Sequence, residues 1–174
     1  GAQAYPIMES IQAFAPGASD YEDTSLAHHH KMIEGHERIA RYIAAHYKLP
    51  QSLEEWVSTS QAMQAEILRR AIENWRRLRF HTSGVLIWQL NDPYPAVSWS
   101  IIDHYLRPKQ AWHSSKHFFA PVLLSMELLI DGKVASSIPL EQWHEALADT
   151  ESTFPIAGGS RMMCRRGQAP IQVR

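Results

Sequence analysis

The chain has 174 residues, one cysteine and a formal net charge of −1. That length suits one domain with a sizeable core. A near-neutral balance, with the arginines set among glutamates on helix faces, gives no basic surface for nucleic acid. Cys164 alone permits neither an internal disulfide nor a multi-cysteine metal site, and fits a reducing compartment. No apolar run approaches a membrane-spanning length, and the start carries no charged-then-apolar leader.

Pro6 suits a helix first turn, and Ile7, Met8, Ile11 and Phe14 lie on one stripe, which predicts a short helix over Pro6–Phe14 ended by Pro16-Gly17. Residues 18–32 show no period and are expected to be an irregular loop, acidic first (Asp20, Glu22, Asp23) and histidine-rich after (His28, His29, His30). A helix over Gly35–Tyr47, with Ile39, Ile43 and Tyr47 on one face, is closed by Leu49-Pro50. The clearest element comes next. Ser52 and Glu55 make a capping-box pattern. Leu53, Trp56, Val57, Ser60, Met63, Ile67, Ala71, Trp75 and Leu78 then recur at helical steps, predicting one long helix over Leu53–Arg79 with this stripe as core. Glu66 and Glu73 precede Arg70 and Arg77 by four residues, the favourable orientation.

The stretch Gly84-Val85-Leu86-Ile87-Trp88-Gln89-Leu90-Asn91-Asp92 is apolar at first and polar at its far end, and Pro93 stops it. This predicts a strand buried on both faces, the kind found in parallel sheets covered by helices. A long amphipathic helix feeding such a strand is the αβ half of a βαβ repeat. In a parallel α/β barrel the carboxyl end of a strand is where ligands bind. Here that end carries an indole, two amides and a carboxylate, which suits a sugar: a flat face for the ring and hydrogen-bonding groups for its hydroxyls. As an alternative, Trp88 serves as a plain core aromatic.

After the strand, Asp92-Pro93-Tyr94-Pro95 reads as a loop and Ser98–Asp103 as a short extended or turn segment. Pro108 opens a helix over Lys109–Phe118, and Ala120-Pro121 ends it. Residues Val122–Ile130 are β-prone, Asp131-Gly132 suits a hairpin turn, and Val134–Ile138 is the returning strand. From Pro139 onward patterning is weak: Glu141–Leu147 reads as a short helix, and Gly158-Gly159 and Arg161–Arg166 as loop or disorder.

The three consecutive histidines do not converge on one ion from a regular backbone, and there is no His-Glu-x-x-His, so a metal is not expected. Cys164 has no catalytic setting and is read as inert. Glycoside hydrolysis usually needs two carboxylates across the scissile bond, yet Asp92 is the only one at the expected strand end; most of the glutamates face away from the apolar stripes.

Taken together, Trp88-Gln89-Leu90-Asn91-Asp92, Ser98-Trp99-Ser100, Arg107-Pro108-Lys109 and Phe119-Ala120-Pro121-Val122 resemble the last barrel strand, following helix and barrel exit of glycoside hydrolase family 2 β-mannosidases. His28-His29-His30-Lys31, Arg41-Tyr42-Ile43, Leu49-Pro50 and Ser60–Ala65 fit the same family, so that the likeness runs from Gly1 to Ser125. The resemblance implies an α/β fold: the C-terminal piece of a (β/α)8 TIM barrel over 1–120, mostly helical, then the start of an immunoglobulin-like β-sandwich over 121–138 and a poorly patterned tail over 139–174. Gly1 resembles the glycine of the family's Ser-Glu-aromatic-Gly nucleophile motif, and Gln3 and Pro6 match the residues just after that glycine. Both catalytic glutamates are therefore expected upstream of Gly1, in a longer parent chain. The implied parent is a retaining β-mannosidase that acts on terminal β-mannosyl residues without a cofactor, and this piece alone is expected to be inactive. The expected substrate-binding residues are Trp88 first, then Gln3, Asn91 and Asp92 as polar contacts or orderers of the pocket floor, and lastly His29; none is expected to be catalytic. The partner is a β-mannoside or oligosaccharide, with no nucleic acid and no membrane. Another family 2 glycosidase, cutting β-galactosides or β-glucuronides, is one alternative. A non-catalytic helical interaction module is the other.

Overall fold

The computed structural model describes residues 2–123 and 125, together with the backbone of four short strands further on. The chain divides into two compact units, Gly1–Phe119 and Ala120–Arg174.

The first unit is helical. Helix α1 (Met8–Phe14) buries Ile11 and Ser10. Helix α2 (Thr24–His28) lies where an irregular loop was expected. Five residues are too few to show a period; its signal is Asp23, whose carboxylate accepts from the Ser25 N–H at the N-cap, 2.8 Å away. Helix α3 (Gly35–Ala44) buries Ile39 and Ile43. Helix α4 (Leu53–Arg77) starts as predicted: the Ser52 hydroxyl accepts from the Glu55 N–H at 3.2 Å. The reciprocal half of the box is shifted by one residue, since Glu55 accepts from the Gln51 N–H at 2.7 Å. Glu66 pairs with Arg69 and Arg70, and Glu73 with Arg69. Helix α5 (Gln110–Phe118) buries Ala111 and Phe118.

The long helix does not bury a single stripe. Its first half presents Leu53, Trp56, Val57 and Met63 to a core shared with Tyr5, Ile11, Leu26, Ile39 and Ile43. Its second half presents Ala65, Leu68 and Ile72 to another cluster with Ile101, Ala111 and Phe118. The buried face turns round the axis because the partners change from α3 to α5 and the segment before it. Ile67 is only partly buried, and Trp75 and Leu78, expected in the core, are 41% and 47% exposed.

The strand expected over 84–90 is absent, and no strand occurs among residues 2–123. The segment is partly buried, and on one side only. Val85 and Ile87 pack against the Leu68–Ile72 cluster, while Leu86, Trp88 and Leu90 are 97%, 65% and 55% exposed. No backbone hydrogen bond among the described residues involves 84–88. A ladder needs a neighbour to take its N–H and C=O groups, and apolar composition cannot supply one. Beyond that point the backbone is held. Gln89 donates to the Trp99 carbonyl, Ile101 donates to that of Gln89, and Ile102 donates to that of Leu90. Isolated bridges join Asn91 to Ile102, Ala4 to Ser98 and His30 to Val97.

In the second unit, β1 (Glu127–Ile130), β2 (Lys133–Val134), β3 (Ser152–Pro155) and β4 (Arg161–Cys164) form an antiparallel sheet in the order β2-β1-β3-β4. Strands β1 and β2 pair with Leu129 opposite Val134. The first four residues of Arg161–Arg166, expected to be loop or disorder, are strand β4; Thr153 faces Met163 there, a pairing between segments too short to show alternation. The expected turn at Asp131-Gly132, the rest of the returning strand to Ile138, the helix at Glu141–Leu147 and Gly158-Gly159 lie outside the described residues.

Candidate functional site

Three pieces of chain meet beside the end of the 84–92 segment: the start of the chain, residues 29–31 and residues 96–100. Their main chains are tied by Ala4 N–H to Ser98 O (2.9 Å), Val97 N–H to His29 O (3.0 Å) and Lys31 N–H to Val97 O (3.2 Å). From α4, the Gln64 amide reaches into the junction and donates to the carbonyls of Ala2, Trp99 and Ser100 at 2.9, 3.2 and 3.1 Å. Lys109, just before α5, is fully buried, and its ammonium lies 3.0 Å from the Ala4 carbonyl and 3.5 Å from that of Ser98. Burial pushes this amine down to about 8; Asp92 and Asp103 pull the other way, and Lys31 adds to the lowering.

Asp92 occupies the middle of this frame. One oxygen accepts from Lys31 Nζ at 2.5 Å and from Gln89 Nε2 at 3.2 Å. The other accepts from the Ser98 and Ser100 hydroxyls at 2.7 and 2.5 Å. With no exposed side-chain surface, this carboxylate is a structural anion whose acceptor positions are taken by the protein. The other buried carboxylates among the described residues are likewise engaged. Asp103 accepts from Ser10 Oγ and from the N–H groups of Tyr105 and Arg107, and Glu73 pairs with Arg69.

Open surface lies next to this floor. Trp88 is 65% exposed, immediately before Gln89. Asn91 is also exposed; its backbone carbonyl accepts from Gln89 at 2.9 Å. Tyr94 is about half exposed, with Lys31 Nζ 4.8 Å above its ring centroid. Gln3 is buried, and its amide nitrogen has no hydrogen-bond partner among the described residues. His29 is turned to the protein: Nδ1 lies 2.8 Å from the Pro95 carbonyl and the ring packs on Phe14.

Chain neighbourhood and the Gln89 contact thus bring Trp88, Asn91 and Asp92 together, and Gln3 is joined to them through the Ala4–Ser98 bond. His29 is not among them: its ring is engaged by Pro95 and Phe14. Sequence reasoning about the site passed over Lys31 as the ion-pair partner of Asp92, Gln64 as the tie between segments, and Lys109. One local signal was available: Ser98 and Ser100 are two apart in an extended stretch, so both hydroxyls point the same way. No cluster of metal-ligating side chains occurs among the described residues, and no described helix is long and apolar enough to cross a membrane.

No protein-family model matches the chain. In an alignment 137 positions long that covers 72% of this chain, it is 39% identical to β-mannosidase B of Thermothelomyces thermophilus. It is 34% identical over 131 residues to the β-mannosidases B of Aspergillus oryzae and Aspergillus niger. The chain is homologous to part of the β-mannosidases. It spans about one sixth of the length of these relatives, 16% in each case. Among solved structures it resembles the crystal structure of the β-D-mannosidase from Dictyoglomus thermophilum with a TM-score of 0.73 and 34% identity, covering 88% of this chain and 17% of that one. A crystal structure of an exo-chitosanase from Amycolatopsis orientalis shares the fold, with a TM-score of 0.52 at 15% identity, covering 90% of this chain and 24% of that one.

Proposed function

We propose that this chain forms one wall of the sugar pocket of a retaining β-mannosidase, with Trp88 as the stacking platform and both catalytic carboxylates outside it. The observation that carries this reading is the contrast at Trp88: an open indole just before Gln89 and the buried Asp92 carboxylate, which is bonded on both oxygens. A pyranose has an apolar face that covers an indole, and the floor fixes the ring's position in advance, which lowers the ordering cost on binding. Asn91 supplies an exposed amide, Gln3 and Asp92 order the floor from within, and His29 is bound to the loop at Pro95. The same reading makes 1–120 part of the catalytic barrel and 121–138 the start of the next domain. Hydrolysis with retention needs two carboxylates roughly 5 Å apart, one as nucleophile and one as acid/base. In this reading neither is among the buried acids of the described residues, which are all held by other partners.

The test replaces the matching segment of the Dictyoglomus β-mannosidase with this chain and assays a panel of chromogenic glycosides. The graft is expected to favour the β-mannoside over the β-galactoside and β-glucuronide. Trp88→Ala in the graft should lower kcat/KM by roughly tenfold or more, about 1.4 kcal/mol of transition-state binding. Near-normal kinetics in that variant would sink the platform assignment. Turnover by the chain alone, abolished by a substitution within it, would place the catalytic pair inside.

A further inference from the structure

Away from the Asp92 floor, an aromatic cluster of Tyr5, Tyr21, His30, His36 and Trp56 fills the space between the chain start, α3 and α4. His36 has a partner, the Tyr5 hydroxyl, 2.7 Å from its Nδ1. His30 has none: both ring nitrogens are sealed from solvent and unbonded. A neutral imidazole always carries one N–H and one lone pair, so a donor and an acceptor are both left unmatched. The ring is wedged edge-on to Tyr5 at 5.5 Å and to His36 at 6.4 Å between centroids. On its third side is the first residue of α3, where a Cβ on Gly35 would come within 2.6 Å of Nδ1. His30 also sits between the two bonds that dock its segment on Val97, the Val97 N–H to His29 O and the Lys31 N–H to Val97 O. The next residue is Lys31, the ion-pair partner of Asp92.

We propose that His30 is an acid-sensitive latch: neutral, it seats residues 29–31 against Val97; protonated, it leaves its niche and draws Lys31 away from Asp92. Neither ring nitrogen has an acceptor within hydrogen-bonding distance among the described residues, and the neighbouring His36 ring disfavours a positive charge there. Burial pushes the His30 ring down to about 4, His36 adds to the lowering, and Glu37 opposes both. His36 is itself lowered by burial, against Glu37, Glu22 and Asp20. The Tyr5 hydroxyl is raised, by burial first, and that of Tyr21 by Glu22 first, so neither titrates in acid. Trp56, from α4, brings no charge, and Lys31 and Asp92 answer each other. The sign is set by linkage. A released ring titrates near 6.5 and the seated one near 4. Released chain therefore binds more protons below 6.5, and the seated state loses ground as pH falls from there through 4, with no effect above. Applied to sugar recognition, the latch rests on the reading of the pocket given above; the latch itself needs no sugar.

Histidine-selective NMR and amide hydrogen exchange on the whole chain, between about pH 7 and pH 3.5, provide the test. His30 is expected to stay neutral well below a free histidine. The amides of Val97 and Lys31 should lose protection at least tenfold below about pH 5 while those of α4 keep theirs. In His30→Phe that loss should move down by about one pH unit or more, and in His46→Phe, an exposed control, it should not move. Val97 protection with the same acid midpoint in wild type and His30→Phe would overturn the latch. So would a wild-type His30 that titrates near 6.5 with both bonds intact, which decides the matter even if His30→Phe fails to fold.

Discussion

The two ends of the segment 84–92 obey different rules. At its start, residues 84–88 have no backbone hydrogen bond among the described residues, and every second side chain is bare. At its end, Gln89 and Leu90 are bonded to 99–102, and Asp92 holds four donors from three stretches of chain. The polar end is complete within this chain, whereas the apolar end is only half covered. A charged group cannot be left half satisfied in a protein interior, so its partners had to be built in. A strand-like apolar run tolerates an open side as long as water can reach its backbone.

The largest effect expected from this contrast is at Asp92. Asp92→Ala strands Lys31, whose side chain is 9% exposed, and removes the acceptor of two buried hydroxyls. Breaking a buried pair by deleting one partner costs about 3–5 kcal/mol, readable as a loss of unfolding free energy in urea. A loss below about 1 kcal/mol would mean that Lys31 finds water easily and that the floor is not a sealed structural unit.

Next in size is the core face of α4. Ile72 is 1% exposed in the second cluster, so Ile72→Ala should cost about 2–5 kcal/mol in the same assay. Trp75, 41% exposed, should cost less despite its size. The reverse order would show that the helix is rotated and that the single stripe read from the sequence is the true core.

That stripe marks where sequence reading succeeds and where it stops. The ends of α1, α3, α4 and α5 were legible to within a few residues because caps and prolines act locally: Ser52 at one end, Pro16 and Pro50 at others. The first half of α4 was legible because it has one partner surface. Its second half was not, because the face it buries is chosen by α5 and residues 101–102, far along the chain. Helix α2 carried a cap but too few residues for a period. For the run Val85–Trp88, composition indicated extended backbone and could not indicate the missing neighbours. At the candidate site the local members, Trp88, Asn91 and Asp92, stood together in the sequence. Lys31, 61 residues from Asp92, is joined to it only by folding.

The smallest expected effect tests the open side directly. Leu86 is 97% exposed, and its side chain points away from Val85 and Ile87, which meet the core. Replacing it with Ser removes apolar surface that is already in water, so stability should change by no more than about 0.5 kcal/mol, the usual range for surface positions. Ser also keeps an extended backbone, which leaves the seating of Val85 and Ile87 undisturbed. A loss above about 1 kcal/mol would therefore require something to cover Leu86 in solution. Dependence of that loss on protein concentration would identify the cover as another copy of the chain, because association adds to stability by mass action. A concentration-independent loss would instead place Leu86 inside the fold, and residues 84–88 would then have a second buried face.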